Sequence, residues 1–168
     1  MELIEALRIS TPLGTMLACA NSHGICLLEF EDQKNLQRHL DSLQVNLKTK
    51  LGNTSKNPHL LQLQRELQEY FNGKRQHFSV ALSPQGTPFQ QKAWRALQTI
   101  PYGQTQTYKQ QTSQMDMDKG FRAVANANGQ NRIAIVIPCH RVVGQKGALT
   151  GYAGGIDRKA TLLNLERN

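Results

Sequence analysis

The hydrophobic pattern of the first thirty residues is short and bursty. "ELIEALRI", "GTMLACA" and "ICLLEF" are β-prone runs, and the polar "NSHG" between the last two has the length and composition of a hairpin turn. The pattern predicts a small antiparallel sheet. In "EDQKNLQRHLDSLQ", leucines at 36, 40 and 43 have helical spacing, and "NLKTKLGNTSKN" then loses periodicity and reads as a loop. Pro58 opens a second helix whose Leu60, Leu61, Leu63, Leu67, Tyr70 and Phe71 suit one face, with Gly73 at its C-cap. Pro and Gly cluster in "SPQGTPF", which predicts a boundary between domains at 1–86 and 87–168.

After the boundary the periodicity is helical. Thr87, Pro88 and Gln90 form an N-cap, a first-turn proline and a capping-box partner, and Phe89, Ala93, Trp94, Leu97 and Ile100 line the inner face of the helix they start. "PYGQ" ends it. Thr107 with Gln110 repeats the capping box and predicts a short helix to about Ser113. "QMDMD" then leads into a second helix at roughly 118–128, and the pair forms a candidate helix-turn-helix. That second helix, "KGFRAVANANG", is rich in small residues, which suits either close approach to a groove or tight packing on its own core. "IAIVIP" reads as a buried strand delivering Cys139, "GQKGALTGYAGG" is too glycine-rich for regular structure, and "IDRKATLLNLE" is a closing helix. The expected fold class is α/β (α+β): a small antiparallel-sheet domain followed by a mostly helical, winged-helix-like domain with a short strand pairing near Cys139.

Charge separates the halves. Residues 1–86 hold 9 Lys/Arg against 8 Asp/Glu, whereas residues 87–168 hold 11 against 4, so nearly all of the net +8 lies in the second half. Such a half suits a polyanion, nucleic acid being the commonest, although a solubility bias gives the same excess. The chain of 168 residues allows one or two domains. "MELIEALRIS" carries glutamates where a signal peptide carries basic residues, and no apolar stretch reaches membrane-spanning length, so a cytoplasmic protein without a membrane is expected. Three cysteines, an odd number, suit reduced thiols.

The chemistry concentrates in "IVIPCHRVVGQKG". A cysteine reacts as its thiolate, and an ordinary thiol near pKa 8.5 needs help at neutral pH. His140 offers a base and Arg141 a positive charge. Neighbouring side chains usually point apart, so a bridging water would have to connect Cys139 to His140. Glu166 on the last helix is the best candidate to orient the imidazole and complete a triad-type relay. By themselves these residues leave Cys139 open as a nucleophile or as a buried structural cysteine.

"TPFQQKAW", "IPYGQTQTY", "FRAVANANGQN", "IPCHRVVG", "TGYAGG" and "LLNLE", in that order and spacing, closely resemble the O6-alkylguanine-DNA alkyltransferases, or methylated-DNA-protein-cysteine methyltransferases; the first half matches chiefly at "TPLG". The resemblance implies a single-turnover repair protein that moves the alkyl group of O6-alkylguanine in double-stranded DNA onto its own cysteine. It implies no cofactor, and a monomer is expected. Cys139 becomes the acceptor, His140 the water-mediated base, Glu166 its orienting carboxylate, Tyr108 the donor to the leaving base and Asn131 the clamp of the active-site loop. Arg122 becomes the finger that replaces the flipped base. Around it Ala123, Ala125, Ala127 and Asn128 belong to the helix that enters the minor groove. Val142, Val143, Tyr152, Ala153 and Gly154 form the base pocket. Two departures stand out: Arg132 where the family commonly has proline, and Phe121 where it has a small residue. The related lesion-binding proteins carry tryptophan in place of the cysteine, whereas this chain keeps the thiol.

Cys19, His23 and Cys26 surround the first hairpin turn, the two cysteines expected opposite each other. Zinc is not expected there, because no fourth ligand and no zinc spacing is evident. His39, His59 and His77 are isolated in sequence and expected at the surface.

Overall fold

The computed structural model describes residues 3–44 and 55–167, so most of the loop expected after the first helix lies outside the described residues. The chain divides into two compact units, Met1–Pro84 and Gln85–Asn168. Architecture and order of elements are those of an α+β protein.

In the first unit β1 (Glu5–Thr11), β2 (Gly14–Ala20) and β3 (Ile25–Phe30) form an antiparallel sheet in sequential order. β2 and β3 are joined by the expected four-residue turn, in which Asn21 Oδ1 accepts from the amides of His23 and Gly24. Gly24 is required there: a Cβ would lie 2.4 Å from the carbonyl oxygen of Ala81, where the chain runs parallel past Ile25. The register places Cys19 opposite Leu27 rather than Cys26, because the pairing shifts between Cys19 and Ala20. Both thiols nevertheless join Leu17, Leu27 and Leu40 in one core cluster. Truncating one of those leucines to alanine would cost about 2–5 kcal/mol.

Helix α1 (Leu36–Ser42) and helix α2 (Pro58–Phe71) complete the unit. α2 starts where Pro58 sits inside an Asn57 cap whose side chain accepts from His59 and Leu60. Leu60, Leu63, Leu67 and Tyr70 face inward as their spacing requires, whereas Leu61 stays outside at 47% exposure. His39 differs from expectation. It is buried at 1% exposure, and its Nδ1 lies 2.5 Å from Glu29 Oε2 on β3, since α1 lays its inner face on that strand.

The second unit begins with α3 (Pro88–Gln98), opened by the complete Thr87/Gln90 capping box. The two-residue strand β4 (Gln106–Thr107) leads into α4 (Tyr108–Gln114), capped by Thr107 and Gln110 in the same way. α5 (Phe121–Gly129) starts later than expected, because Gly120 takes a left-handed conformation (φ 110°) and ends the turn between the helices there. β5 (Val142–Val143) pairs parallel with β4, and α6 (Ile156–Arg167) closes the chain. Ala93 and Ala96 of α3, Met115, and Val124 and Ala127 of α5 share one apolar cluster. Across it Trp94 donates its indole N–H to the Ala127 carbonyl at 2.9 Å, and Gln111 and Asn128 exchange two amide hydrogen bonds of 2.9 and 2.7 Å.

"IAIVIP" is not a strand. It is buried as predicted, but Ile135 sits at φ 72° and the chain coils on itself through Ile137 N–H to Ile133 O and Cys139 N–H to Ile137 O. An apolar run of this length signals burial without fixing backbone form.

Candidate active site

The turn that replaces the expected strand is held by Asn131, whose side chain is buried and works at both ends. Its Nδ2 donates to Ile137 O at 2.7 Å, and its Oδ1 accepts from the amide of Ile133 at 2.9 Å. The clasp bridges the six residues that aim the chain at Cys139. Cys139 opens a single 3₁₀ turn, Cys139–Arg141, and is half-buried, while the next two side chains are buried.

His140 is fully buried, and its Nε2 lies 2.7 Å from Glu166 Oε2. Its Nδ1 is buried with no protein partner. Burial lowers the pKa of His140, outweighing the opposing pull of Glu166, so the neutral ring is favoured. The hydrogen-bond network then assigns the proton to Nε2, donating to Glu166, and leaves Nδ1 as an acceptor.

Arg141 does not direct its charge to the thiol, contrary to the sequence-based expectation. Its guanidinium forks onto Glu166, with Nε to Oε1 at 2.8 Å and Nη2 to Oε2 at 3.1 Å, and Nη1 donates to Ile100 O at 2.8 Å. The Tyr102 ring covers it at 5.7 Å. Glu166 is thus a buried carboxylate clamped from two sides, the geometry that makes a buried charge tolerable.

α4 and α6 both reach the loop between β5 and α6 at Thr150. Tyr108, half-buried at the start of α4, donates its hydroxyl to Thr150 O at 3.3 Å. Val142 and Val143 are buried, Gly154 is half-buried and Ala153 exposed. Tyr152 is half-buried with its hydroxyl oxygen enclosed and unpartnered. Burial, followed by the charge of Cys139, pushes its phenol pKa well up. Lys159 was not picked out from the sequence. It is fully buried, and its ammonium donates to Thr150 O at 2.8 Å and Gly151 O at 3.3 Å. The signal was present: Lys159, Leu162, Leu163 and Glu166 recur at i, i+3, i+4 and i+7, so the lysine stands on the apolar stripe of α6.

The small-residue helix divides by face. Phe121, Arg122 and Ala123 are exposed and Ala125 is half-buried, whereas Ala127 and Asn128 turn inward to Trp94 and Gln111, off the outward face where they were expected. Tight packing on its own core thus accounts for the inner side of "RAVANANG", and its outer side is left exposed. In the first unit, Cys19 and Cys26 are buried in the sheet, and burial raises the Cys19 pKa far above the ordinary thiol range. No group of three or more His, Cys, Asp or Glu that could hold a metal occurs among the described residues, and no helix among them is long and apolar enough to cross a membrane.

Fold and site together define a helix-turn-helix protein in which a half-buried cysteine stands beside a neutral histidine backed by a clamped carboxylate. Residues 88–168 match the family described as "6-O-methylguanine DNA methyltransferase, DNA binding domain", and residues 7–84 match its "ribonuclease-like domain". A methylated-DNA–protein-cysteine methyltransferase of Methanosarcina barkeri is 41% identical over 161 residues, covering 95% of each chain. The constitutive methylated-DNA–protein-cysteine methyltransferase of Bacillus subtilis is 42% identical over 160 residues, covering 94% of this chain and 92% of its own. Among solved structures, Mycobacterium tuberculosis O6-methylguanine methyltransferase superposes with a TM-score of 0.80 at 36% identity, over 98% of this chain and 93% of that one. The M. tuberculosis OGT solved in complex with DNA gives 0.81 at 36%, over 96% and 92%. The chain belongs to the O6-methylguanine-DNA methyltransferase family.

Proposed function

We propose that this protein repairs DNA by moving the alkyl group of O6-alkylguanine irreversibly onto Cys139, one group per molecule. The observation that carries the reading is the relay behind the thiol: an unpartnered, buried His140 Nδ1 on a ring whose other nitrogen is fixed by Glu166. Through one bridging water the Cys139 proton passes to Nδ1. The thiolate attacks the alkyl carbon in line, the carbon–O6 bond breaks, and its electron pair goes to the guanine. The proton held by His140 is returned to the departing base, so atoms and charges balance. Carbon on sulfur as a thioether has no easy hydrolytic exit, which makes the reaction single-turnover.

In this reading Tyr108 assists the leaving base. Its hydroxyl rests on Thr150 O and would turn its proton to the guanine ring, while Lys159 keeps that carbonyl bonded. Asn131 holds the turn that presents the thiol, and Val142, Val143, Tyr152, Ala153 and Gly154 wall the pocket. A guanine within the duplex stack cannot reach this thiol, so the nucleotide must rotate out at a cost of a few kcal/mol. Arg122 with Ala123 and Ala125 on the outer face of α5 suits a minor-groove approach, with Arg122 filling the space left in the stack. The surplus positive charge of the second half contacts phosphates with little sequence preference. All relay side chains come from one chain, so a monomer suffices, and the cytoplasm is the compartment where such a DNA-directed task and reduced thiols are both accommodated.

The test is the intact mass of the protein after incubation with a duplex carrying one O6-methylguanine. One added CH2 unit per molecule, mapped to Cys139 and absent with undamaged duplex, is expected. Tight binding without any gain would replace this reading by a lesion-binding module.

A further inference from the structure

Phe121 plays no part in the relay or the pocket. It is 46% exposed, and among the described residues no other aromatic side chain is as open to solvent. Its spacing alone would place it inside: Phe121, Val124 and Asn128 recur at i, i+3 and i+7, and the last two are buried. Met117 occupies that end of the core instead. It packs on Ala93, Ala96, Met115, Val124 and Ala127, and its Cε lies 3.0 Å from where a Cβ on Gly120 would stand. Gly120, at φ 110°, then starts α5 with the ring outside. A single exposed apolar side chain is ordinary on a protein surface. The neighbours set this one apart: Arg122 and Ala123 follow it, both exposed, and Lys119 is exposed two residues before it. Asp116 and Asp118, exposed in the preceding turn, disfavour a phosphate at that end, so the surface on which such a ring gains contact is the face of a base.

We propose that Phe121 is a wedge: its ring enters the minor groove beside Arg122 and stacks on the base pair next to the flipped nucleotide, a positioning residue that holds open the step the flip has unstacked. This rests on the minor-groove approach of α5 in the reading above. An extruded nucleotide leaves a bare base face on either side of the gap. Successive helical residues point about 100° apart, so two neighbours at the start of one helix address two different surfaces of the duplex. Arg122 fills the gap with a cation that also donates hydrogen bonds. Phe121 has no donor, and what it supplies is stacking for the neighbouring pair. Every base presents a π-face, so this contact carries little sequence preference, as lesion search in arbitrary sequence requires.

The experiment measures binding of a duplex carrying one O6-methylguanine by fluorescence anisotropy, in a Cys139→Ser background so that no transfer intervenes. Phe121→Ala should bind about tenfold more weakly, and Phe121→Trp about as tightly as the parent. Trp94 is the chain's only tryptophan and is buried, so Phe121→Trp also adds an exposed reporter whose emission should be quenched on binding as the indole stacks on a base. Unchanged affinity in Phe121→Ala, or unchanged tryptophan emission while the duplex is bound, overturns the wedge. In protein that keeps its thiol, Phe121→Ala should slow transfer from the duplex; a loss of the same factor with the free O6-alkylated base would show a structural residue and also overturn it. Arg122→Ala separates the two readings. Binding weakened by Arg122→Ala but not by Phe121→Ala rejects the wedge alone, whereas binding indifferent to both rejects the docking of α5 with it. Because binding is read without transfer, failure of wild type to take a methyl group from the lesion duplex would reject the repair reading and leave this result standing.

Discussion

Among the described residues two buried histidine–glutamate pairs occur, one in each unit, and they differ in what surrounds them. In the first, His39 Nδ1 meets Glu29 Oε2 at 2.5 Å, with Gln33 donating to the other oxygen of Glu29 at 3.1 Å. The thiols nearest in that core, Cys19 and Cys26, are sealed among leucines, and burial keeps Cys19 protonated. In the second, His140 and Glu166 follow a cysteine that is only half-buried, and one imidazole nitrogen is left bare. The residue types are nearly the same. What separates scaffold from chemistry is solvent access for the sulfur and an unsatisfied nitrogen on the ring, since a thiolate must be formed and must reach its substrate.

The sharpest way to break the comparison is to exchange sulfur for oxygen in both units. Cys139→Ser should abolish methyl uptake from damaged duplex completely, while Cys19→Ser and Cys26→Ser should keep one methyl per folded molecule; mass spectrometry reads both. Next come the carboxylates. Glu166→Gln should slow transfer by about 10²–10⁴-fold in a single-turnover assay, because the imidazole loses its orienting charge. It should also destabilise the fold by about 3 kcal/mol, as Arg141 is left without its partner. Glu29→Gln should leave the transfer rate per folded molecule unchanged and lower stability by about 1–3 kcal/mol in urea unfolding. Arg122→Ala should reduce repair of the duplex by about tenfold or more but spare transfer from the free O6-alkylated base, which requires no flipping.

The smallest effect is on pH. The pKa of His140 is lowered in the folded protein, so below about 6.5 the unfolded chain binds the proton that the fold refuses. Stability should fall as pH drops through that range, and His140→Gln should flatten this part of the profile in thermal unfolding scans. A profile unchanged by the substitution would show that the buried ring accepts the proton at no cost.

Local patterns determined a great deal by themselves. Both capping boxes, the proline at the start of α2, the hairpin turn and the inner faces of α2 and α3 follow from rules that reach only three or four residues along the chain. "PCHRV" with "TGYAGG" and a late glutamate indicated the relay through their resemblance to a known family, since the residues by themselves left Cys139 open. Tertiary structure decided the rest. Burial of "IAIVIP" was legible, but its coil depends on Asn131 closing both ends at once. His39 was inverted from surface to core because its partner, Glu29, is ten residues away on another element. The charge of Arg141 was assigned to the wrong neighbour, since adjacency in sequence says nothing of which carboxylate a long side chain will meet. Lys159 and Thr150 acquire a role only when α6 packs beside the loop before it, so that a buried ammonium must find acceptors there. Sequence specifies short-range geometry and the inventory of reactive groups; which of them are desolvated, and against what, is set by packing between segments far apart in the chain.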